Sequence, residues 1–432
     1  MNICVIGTGY VGLVTGTCLA EFGMNLTCVD KDETKIQLLS KGKVPIYEPG
    51  LEDLLKKNIK EGRISFSTNL KEAVKKSLVI FITVGTPSNS NGGADLKYIK
   101  EVAEEIGSYI DSYKVIVIKS TVPVGTGQKV KKWIKANLKT PVSFDLVSNP
   151  EFQREGSAIN DFMRPDRVTI GAESEQAIAI MKDIYSALYI NETPFIITNI
   201  ETAEMIKYAS NAFLALKISY INEIANLCEK MGADVHHVAR AMGLDGRIGR
   251  KFLHPGPGFG GSCFPKDTKA LSFIAKEIGE KTEIVDALIR VNENQKKRMI
   301  TKIKNMVGDL KDKTIAILGL SFKPNTNDMR EAPSITIIKG LLELGANIKA
   351  TDPAAIENAK EILPNIKYFK DPYKAIEGAD AVVLITEWNQ YRRMDLEKIK
   401  SLLRKPIFID LRNVYEPEKM RGMGFKYCGV GR

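Results

Sequence analysis

The chain opens with MNICVIGTGYVG (residues 1–12), an apolar run that ends in three spaced glycines. The apolar half predicts a buried strand, and a helical pattern begins at Tyr10. In a strand–turn–helix unit, Gly7 permits a tight turn, Gly9 lets the backbone approach a ligand closely, and Gly12 allows the helix to pack on the strand. The stretch therefore predicts an α/β fold with a parallel sheet.

The alternation of strands and helices continues beyond this first unit. Apolar runs predict further strands at Asn25–Asp30, Ile64–Ser67, Leu78–Val84, Val115–Lys119, Phe144–Ser148, Val168–Gly171 and Phe195–Thr198. Helical patterns lie between most of these runs, which is typical of a doubly wound parallel sheet. We expect a first domain over residues 1–200.

The pattern changes at Glu201. Residues Glu201–Met231 contain neither proline nor glycine and carry helical apolar spacing, so they predict a long helix that connects domains. Further helices are predicted at Pro265–Ile278 and Glu283–Met306. The central region, residues 201–310, is also a candidate dimerisation surface.

A second alternation begins at Lys313 and predicts a C-terminal domain over residues 311–432. Strands are predicted at Thr314–Leu318, Asn347–Thr351, Ala381–Thr386 and Pro406–Asp410, with helices at Ser334–Leu344 and Leu396–Leu403. The predicted fold class is α/β, with two Rossmann-like doubly wound domains joined by a long central helix.

Composition narrows the class of protein. A chain of 432 residues exceeds one ordinary hydrophobic core, and 44% hydrophobic with 26% charged residues is typical of a globular protein. No apolar run reaches the length of a membrane span, so we expect no membrane association. Six cysteines without a C-x-x-C pair and only three histidines predict no metal site or disulfide framework and favour a reducing cytoplasm.

The net charge of +10 is compatible with nucleic-acid binding or with a solvated basic surface. The lysines are scattered among acidic residues, as in Lys71–Lys76, which favours the solvated surface. We therefore expect no nucleic-acid partner.

An acidic residue accompanies the opening glycines. Asp30 ends the second predicted strand, where the carboxylate of a dinucleotide site binds the 2′-hydroxyl of the adenine ribose. The start of the first helix would bind the pyrophosphate. Because a carboxylate repels the 2′-phosphate of NADP, NAD is the predicted cofactor, although Lys31 and Lys35 weaken that preference.

The segment Gly256–Asp267 places a thiol after a glycine-rich loop. Pro265 suits the first position of a helix, so Cys263 would lie at a helix N-terminus, where the helix dipole and Lys266 favour the thiolate. The alternative is a small core hydrophobe. That alternative is favoured for the cysteines within apolar patterns, which are Cys4, Cys18, Cys28 and Cys228.

The second α/β region lacks the glycine fingerprint and instead carries cations on its loops. Lys323, Arg330 and Arg412 could clamp phosphates beyond the ends of strands, where ligands of α/β sheets bind. Each could equally be a solvated surface residue.

Several motifs occur together in one order: Gly7-x-Gly9-x-x-Gly12, Asn149-Pro150-Glu151-Phe152, Lys207-x-x-x-Asn211, Arg247-Ile248-Gly249 and Gly258–Asp267. Along essentially its whole length the chain resembles the UDP-glucose/GDP-mannose dehydrogenase family, and within it the UDP-glucose 6-dehydrogenases. The resemblance implies NAD-dependent oxidation of the C6 alcohol of UDP-glucose to a carboxylate, in two steps with two NAD. Cys263 would hold the substrate as a thiohemiacetal and then as a thioester.

The resemblance also assigns further catalytic roles. Lys207 and Asn211 are four residues apart and so share one helix face. Lys207 would stabilise an alkoxide or, if desolvated, act as a base, and Asn211 would donate a hydrogen bond to the same oxygen. Asp267 and Thr121 would order the water used in proton transfer, and Glu151 is matched to thioester hydrolysis. Without the resemblance, Lys207 and Glu204 would be read as a solvated helix face.

By the same resemblance, the cofactor residues are Gly7, Gly9, Tyr10, Val11, Gly12, Asp30, Lys35, Thr86, Thr121, Glu155, Lys266 and Arg330. The substrate residues are Glu151, Phe152, Lys207, Asn211, Arg247, Phe259, Gly260, Lys323 and Arg412. The family counterpart of Arg247 reaches the neighbouring subunit's substrate, which implies a homodimer or a larger assembly.

Two other functions stay open at the level of sequence. The same mechanism could act on UDP-N-acetylmannosamine or GDP-mannose. A non-catalytic NAD-binding scaffold or a nucleic-acid-associated redox sensor is supported only by the positive charge.

Overall fold

The computed structural model describes all 432 residues and divides into two compact units, residues 1–210 and 211–432. The boundary falls within one continuous helix, α9 (Ile200–Met231), which spans 32 residues. The predicted division at residues 200 and 310 is finer than these units and stays a prediction.

The first unit is built on an eight-stranded sheet with the order β3-β2-β1-β4-β5-β6-β7-β8. Its strands are β1 (Asn2–Ile6), β2 (Asn25–Val29), β3 (Ile64–Ser67), β4 (Val79–Ile82), β5 (Lys114–Ile118), β6 (Phe144–Ser148), β7 (Val168–Ala172) and β8 (Phe195–Thr198). Both faces of the sheet are buried: Ile3 and Val5 of β1 pack in one core, and Cys4 and Ile6 in the other. Burial on both faces is why these strands read as continuous apolar runs.

The helices that cover this sheet are α1 (Tyr10–Glu21), α2 (Glu33–Ser40), α3 (Leu51–Lys60), α4 (Leu70–Lys76), α5 (Lys97–Tyr109), α6 (Thr126–Ala136), α7 (Ala158–Met163) and α8 (Glu175–Ile184). A 3₁₀ helix follows at Ser186–Asn191.

One pairing departs from the parallel pattern that the sequence predicts. Strands β6 and β7 are antiparallel and pair only through Val147–Ala172 and Ser148–Gly171. Helix α7 between them has six residues, about 9 Å at 1.5 Å per residue. It is too short to return the chain to the start of the sheet. The overlap therefore extends the sheet past the carboxyl end of β6.

The second unit begins in α9 and continues through α10 (Val235–Leu244), α11 (Phe264–Glu277) and α12 (Glu283–Val307). Gly232, with φ of +73°, follows α9 and provides the left-handed residue that commonly ends a helix. The predicted long helices are therefore present, with bounds that differ by one residue at most. None of the helices combines the length and apolar character needed to cross a bilayer.

The second sheet has six parallel strands in the order β11-β10-β9-β12-β13-β14. They are β9 (Thr314–Leu318), β10 (Asn347–Thr351), β11 (Lys367–Tyr368), β12 (Ala381–Leu384), β13 (Ile407–Asp410) and β14 (Lys426–Cys428). The accompanying helices are α13 (Pro333–Glu343), α14 (Ile356–Ile362), α15 (Pro372–Ile376), α16 (Leu396–Leu402) and α17 (Pro417–Gly422), with a 3₁₀ helix at Asn389–Arg393. The predicted class of two Rossmann-like α/β domains with a long central helix is confirmed.

Candidate active site

The first loop of the first unit has the geometry of a pyrophosphate-binding turn. Gly7 has φ of +98°, and a Cβ there would lie 3.2 Å from the Thr83 backbone. A Cβ on Gly12 would lie 1.9 Å from the Gly7 carbonyl oxygen, so only glycine allows this packing. Gly9 is the N-cap of α1, and no other part of the chain lies within 4 Å of the position that a Cβ would take there. The amides of Tyr10 and the next residues thus begin the helix beside open space, which fits a bound phosphate.

Asp30 follows β2 beside this turn. Its Oδ2 accepts hydrogen bonds from Thr8 N at 2.8 Å and Thr8 Oγ1 at 2.7 Å, and from Lys35 Nζ at 3.2 Å. Burial acts to raise the pKa of the Asp30 carboxyl, but these bonds, with one from Asp32 N, together lower it below its usual value. Asp30 is therefore an ionised acceptor at the rim of the turn, as a ribose hydroxyl requires.

Other predicted cofactor residues lie near the carboxyl ends of the strands. Thr86, after β4, donates through Oγ1 to the carbonyl oxygen of Thr121, after β5, at 2.8 Å. Tyr10 accepts through its hydroxyl from Gly156 N at 2.8 Å, which fixes the loop that carries Glu155 against the start of α1.

Glu151 and Lys207 form a buried ion pair in the first unit. Lys207 Nζ lies 3.1 Å from Glu151 Oε1 and 2.5 Å from the Glu151 carbonyl oxygen, and Lys207 and Glu151 are 3% and 6% exposed. The Phe152 ring lies 5.1 Å from Lys207 Nζ and 3.6 Å from the Arg167 guanidinium. The structure thus brings together three predicted site residues, and Arg167 joins them without having been predicted.

Lys119 also went unpredicted as a site residue. It follows β5, is 4% exposed, and donates to Asn149 Oδ1 at 3.0 Å and Tyr185 Oη at 3.2 Å. Burial lowers the pKa of its ammonium to about 8, with Glu151 acting against this shift and Lys207 adding to it. The available signal was a lysine directly after an apolar strand, at the sheet edge where ligands bind.

The alternative of a solvated helix face at Lys207 and Glu204 is wrong. Glu204 is 2% exposed and accepts hydrogen bonds from Gly125 N at 2.6 Å and Gly127 N at 2.8 Å, at the start of α6. Burial raises the pKa of its carboxyl to about 7, although these two bonds oppose the shift.

In the second unit, the thiol loop leads into α11 as predicted. Cys263 is the N-cap, and its carbonyl oxygen accepts from Asp267 N at 2.8 Å. The helix begins at Phe264, one residue earlier than predicted, so Pro265 takes the second helical position and not the first. Cys263 is partly exposed, with Sγ 3.5 Å from Ser262 Oγ.

The remaining cysteines have other surroundings. Cys4, Cys18, Cys28 and Cys228 are buried. Burial raises the pKa of the Cys18 and Cys28 thiols to about 12 and that of Cys4 further still. Partly exposed Cys428 lies in β14, and burial raises its pKa to about 11.

Asp267 is fully buried one turn into α11 and binds two predicted site residues. Its Oδ2 accepts from Asn211 Nδ2 at 2.6 Å, and its Oδ1 lies 2.6 Å from Lys266 Nζ. The Lys266 ammonium therefore pairs with a carboxylate, an arrangement that the sequence did not predict.

Amide side chains position the glycine loop that precedes the thiol. Asn292 on α12 accepts from Phe259 N at 2.8 Å and donates to its carbonyl oxygen at 3.1 Å. Gly256 donates to Asn222 on α9 and accepts from Gln295 on α12. These three amides were not predicted, because an amide within a helical pattern does not stand out in the sequence.

The same loop packs against the loops of the second sheet. A Cβ on Gly260 would lie 2.4 Å from the Glu331 carbonyl oxygen, and Gly261 N donates to the Arg330 carbonyl at 2.8 Å. A Cβ on Gly261 would lie 2.7 Å from the ring of Phe322, the neighbour of Lys323. Close backbone approach explains why glycines occupy these positions.

Arg412 lies beside this loop. It donates to the Phe322 carbonyl at 3.0 Å and to the Ile385 carbonyl at 2.7 Å. Arg330 forms a two-point ion pair with Asp328. The structure thus brings Phe259, Gly260, Lys323 and Arg412 into one region of the second unit.

Arg247 is different, since 90% of its side chain is exposed and its one ion pair is with neighbouring Asp245. Lys217 on α9 binds the carbonyl oxygens of Ile248 and Gly249 and so fixes the turn that carries Arg247.

Comparisons with known proteins match this arrangement. Residues 1–189 match the NAD binding domain of the UDP-glucose/GDP-mannose dehydrogenase family, residues 201–294 its central domain, and residues 316–417 its UDP binding domain. The predicted NAD cofactor is thereby confirmed.

Individual relatives cover the chain from end to end. The chain is 51% identical to the UDP-glucose 6-dehydrogenase TuaD of Bacillus subtilis, over all of this chain and 93% of that protein. It is 49% identical to a UDP-glucose 6-dehydrogenase of Rhizobium meliloti, over all of both chains.

Solved structures give the same result. A UDP-glucose dehydrogenase from Pyrobaculum islandicum superimposes with a TM-score of 0.92 at 39% identity, over 99% of this chain and 97% of that one. Three family models matched in chain order and 51% identity over the full length show that this chain belongs to the UDP-glucose/GDP-mannose dehydrogenase family.

Proposed function

We propose that this protein oxidises the C6 alcohol of UDP-glucose to a carboxylate, yielding UDP-glucuronate and using two NAD. The observation that carries the proposal is the partly exposed thiol of Cys263 at the start of α11, in a chain with two relatives near 50% identity named UDP-glucose 6-dehydrogenase. Oxidation past the aldehyde benefits from covalent capture, which a nucleophilic thiol provides.

The first oxidation converts the alcohol to an aldehyde. Bound NAD, held by the Gly7–Gly12 turn and Asp30, supplies the hydride acceptor. Lys207 and Asn211 would stabilise the alkoxide as the C6 hydroxyl loses its proton. Asp267 and Thr121 would order the water that receives it.

The second oxidation takes place on the enzyme-bound substrate. The Cys263 thiolate adds to the aldehyde carbon, and the carbonyl oxygen takes up a proton to give a thiohemiacetal. Loss of a hydride from C6, for which the second NAD would be the acceptor, and loss of the hydroxyl proton to water give a thioester. Water then adds to the thioester carbon, with Glu151 accepting a water proton, and the C–S bond breaks to release the carboxylate and the thiolate.

The buried contacts of Lys207 and Asn211 support these assignments. Lys207 and Glu151 are fixed to one another by two contacts, and Asn211 is fixed to Asp267 by one. Groups held in this way are already oriented before substrate binds, which lowers the reorganisation needed during reaction.

We also propose a division of labour in three parts. Residues 1–200 hold NAD, residues 201–310 carry the thiol loop, and residues 311–432 hold the UDP group through Lys323 and Arg412. The three family matches, at 1–189, 201–294 and 316–417, support this division.

A second copy of the chain is the proposed partner of α9. Phe213, Tyr220 and Leu227 are 62%, 46% and 54% exposed, and their spacing of seven residues places them on one helix face. An exposed apolar stripe of this kind suits a dimer interface. Sedimentation should show a dimer that a Phe213→Glu/Leu227→Glu variant converts to a monomer, and an unchanged dimer would contradict the interface.

We place the reaction in a reducing cytoplasm, since all six cysteines are free thiols.

The stoichiometry of NADH formation tests the function. Two NADH should form for each UDP-glucose consumed, with UDP-glucuronate as the product. A ratio of one, with free aldehyde accumulating, would contradict double oxidation.

The choice of sugar is tested separately. A UDP-D-ManNAc dehydrogenase from Pyrococcus horikoshii superimposes with a TM-score of 0.88 at 27% identity, so the fold accommodates another sugar. Initial rates with UDP-glucose, UDP-N-acetylmannosamine and GDP-mannose should be highest for UDP-glucose. Faster oxidation of either other substrate would replace UDP-glucose in the proposal.

A further inference from the structure

A glutamate with an unusual backbone conformation lies against the glycine loop that precedes the thiol. Glu331 has φ of +52°, in the left-handed region that is unfavourable for residues with a side chain. It is the third residue of a turn in which Ala332 N donates to the Met329 carbonyl at 3.1 Å. A left-handed third residue of a turn is usually glycine or asparagine. A glutamate at this position therefore calls for a reason that lies outside the turn.

The side chain of Glu331 connects this turn to two helices. Its Oε1 lies 3.3 Å from Lys269 Nζ on α11, and its Oε2 lies 3.9 Å from Lys296 Nζ on α12. Lys296 is 1% exposed and also pairs with Glu293 on its own helix, at 2.8 Å. The stem of Lys296 borders the glycine loop, since a Cβ on Gly258 would lie 3.3 Å from its Cγ. One lysine thus contacts both the loop and the carboxylate.

The backbone of the turn contacts the same loop directly. The Arg330 carbonyl accepts from Gly261 N at 2.8 Å, and the Glu331 carbonyl leaves no room for a Cβ on Gly260. Cys263 follows Gly261 by only two residues. Movement of the turn would therefore move the segment that leads to the thiol.

We propose that Glu331 is a positioning residue for the thiol. Its ion pairs attach the Met329–Ala332 turn to α11 and α12, and the turn fixes Gly260 and Gly261 and so the direction from which Cys263 meets the aldehyde carbon. This inference rests on the role that the proposed function gives to Cys263. A misplacement of about 1 Å can slow a reaction substantially. Ion pairs as exposed as that with Lys269 add little stability, so the effect should be on the chemistry.

The fate of the aldehyde tests the inference. With NAD, UDP-glucose and semicarbazide present, an aldehyde that Cys263 does not capture reacts to a semicarbazone, so that substrate molecule yields one NADH and not two. Glu331→Gln keeps the shape of the side chain and removes its charge. Carboxylate formation should fall about tenfold in this variant, and the ratio of NADH to UDP-glucose should fall below two. Glu331→Gly retains the left-handed backbone without the side chain and should give the same result.

Glu72→Gln is the matched control, because Glu72 is a similarly exposed glutamate that pairs with Lys76 on α4. It should keep the ratio of two. Should neither Glu331 variant fold, Lys269→Gln removes one of the two ion pairs from α11 and should also lower the ratio.

A merely structural role predicts a different result, because loss of folded protein slows both oxidations together and leaves the ratio at two. A ratio of two in both Glu331→Gln and Glu331→Gly, at whatever rate, would overturn the inference. So would an unchanged ratio in Lys269→Gln if that variant has to replace them. A ratio of one in the unmodified protein would instead contradict the proposed function itself.

Discussion

The two sheets each place an aspartate directly after the second strand of their common order, yet the two carboxylates have different surroundings. The first six strands of one sheet, β3-β2-β1-β4-β5-β6, match β11-β10-β9-β12-β13-β14 of the other. Asp30 binds Thr8 and Lys35, with 17% of its side chain exposed. Asp352 is 3% exposed and accepts from backbone amides of the loop after β9 and from Trp388 Nε1.

The helix that follows the first strand of each sheet, α1 in one and α13 in the other, also differs in its ability to bind a phosphate. Helix α1 begins at Tyr10, with its N-cap Gly9 beside open space, and only three residues separate it from β1. Helix α13 begins at Pro333, which has no N–H to offer a phosphate, and is separated from β9 by a longer loop. The same topology thus presents a dinucleotide site in one unit and a closed turn in the other. Ligand choice resides in these few residues and not in the fold.

The two units also differ in chemistry, since the proposed nucleophile, Cys263, lies in the second unit. Its replacement should have the largest effect on activity. Cys263→Ala should lower carboxylate formation at least about a thousandfold, because no other residue can hold the aldehyde. Product analysis by chromatography, with NADH counted in parallel, measures the loss. Cys428→Ala, which alters the other partly exposed cysteine, should retain activity. Full turnover by Cys263→Ala would exclude covalent capture.

Asp352 tests the claim that its carboxylate is structural. Asp352→Ala would leave the Leu320 and Ser321 amides and the Trp388 indole without this acceptor. We expect unfolding in urea to show a loss of about 3–5 kcal/mol. The KM for NAD should stay near the parent value. A stable Asp352→Ala protein with an increased KM for NAD would reverse the comparison.

Replacement of Asp30 should affect NAD binding more than stability, the reverse of the result expected for Asp352. Asp30→Ala removes the acceptor for the ribose hydroxyl, so the KM for NAD should increase about 10- to 100-fold, as expected for hydrogen bonds to a charged group. The urea midpoint should change less than in Asp352→Ala, since Asp30 is at the rim. Equal stability losses in both variants, with no change in KM, would mean that the two carboxylates play one role.

The smallest effect concerns the pH dependence of stability in the first unit. Burial raises the pKa of Glu204 from 4.5 to about 7, so the folded protein holds this proton more tightly than the unfolded chain does. The contribution is therefore most favourable below 4.5 and is lost as the pH rises through 7, by about 3 kcal/mol.

Melting temperatures across this pH range test the assignment. Glu204→Gln should gain stability relative to the parent protein as the pH rises, because it has no proton to lose. Glu223→Gln, at an exposed position of the same helix, is the control and should follow the parent curve. Parallel curves for parent and Glu204→Gln would show that Glu204 does not titrate in this range.

Much of the fold could be predicted because the strands are buried on both faces. Runs such as Thr314–Leu318 and Phe144–Ser148 carry the apolar signal along their length and were located with their observed bounds. Strands β11 and β14 have two and three residues, too few for any pattern. The reversal of β7 depends on the length of α7 and has no signature within the strand itself.

The candidate site divides along similar lines. Glycines, the N-cap thiol and the acid after β2 could be located, because each is required by local backbone geometry. The positions of Lys119 and Glu204 could not, since a lysine or glutamate in isolation is normally solvated. Only tertiary contacts, with Asn149 in one case and the start of α6 in the other, bury them.

Helix α9 has a fixed register as a result of its first two turns. Glu204 binds the start of α6, and Lys207, three residues later, binds Glu151. An acidic and a basic side chain on successive turns are thus both buried, the acidic one against backbone amides and the basic one against a carboxylate. A one-residue insertion between Ile200 and Glu204 would rotate both side chains away from these partners and leave the partners buried without them. We expect this segment to accept conservative exchanges but no change in length.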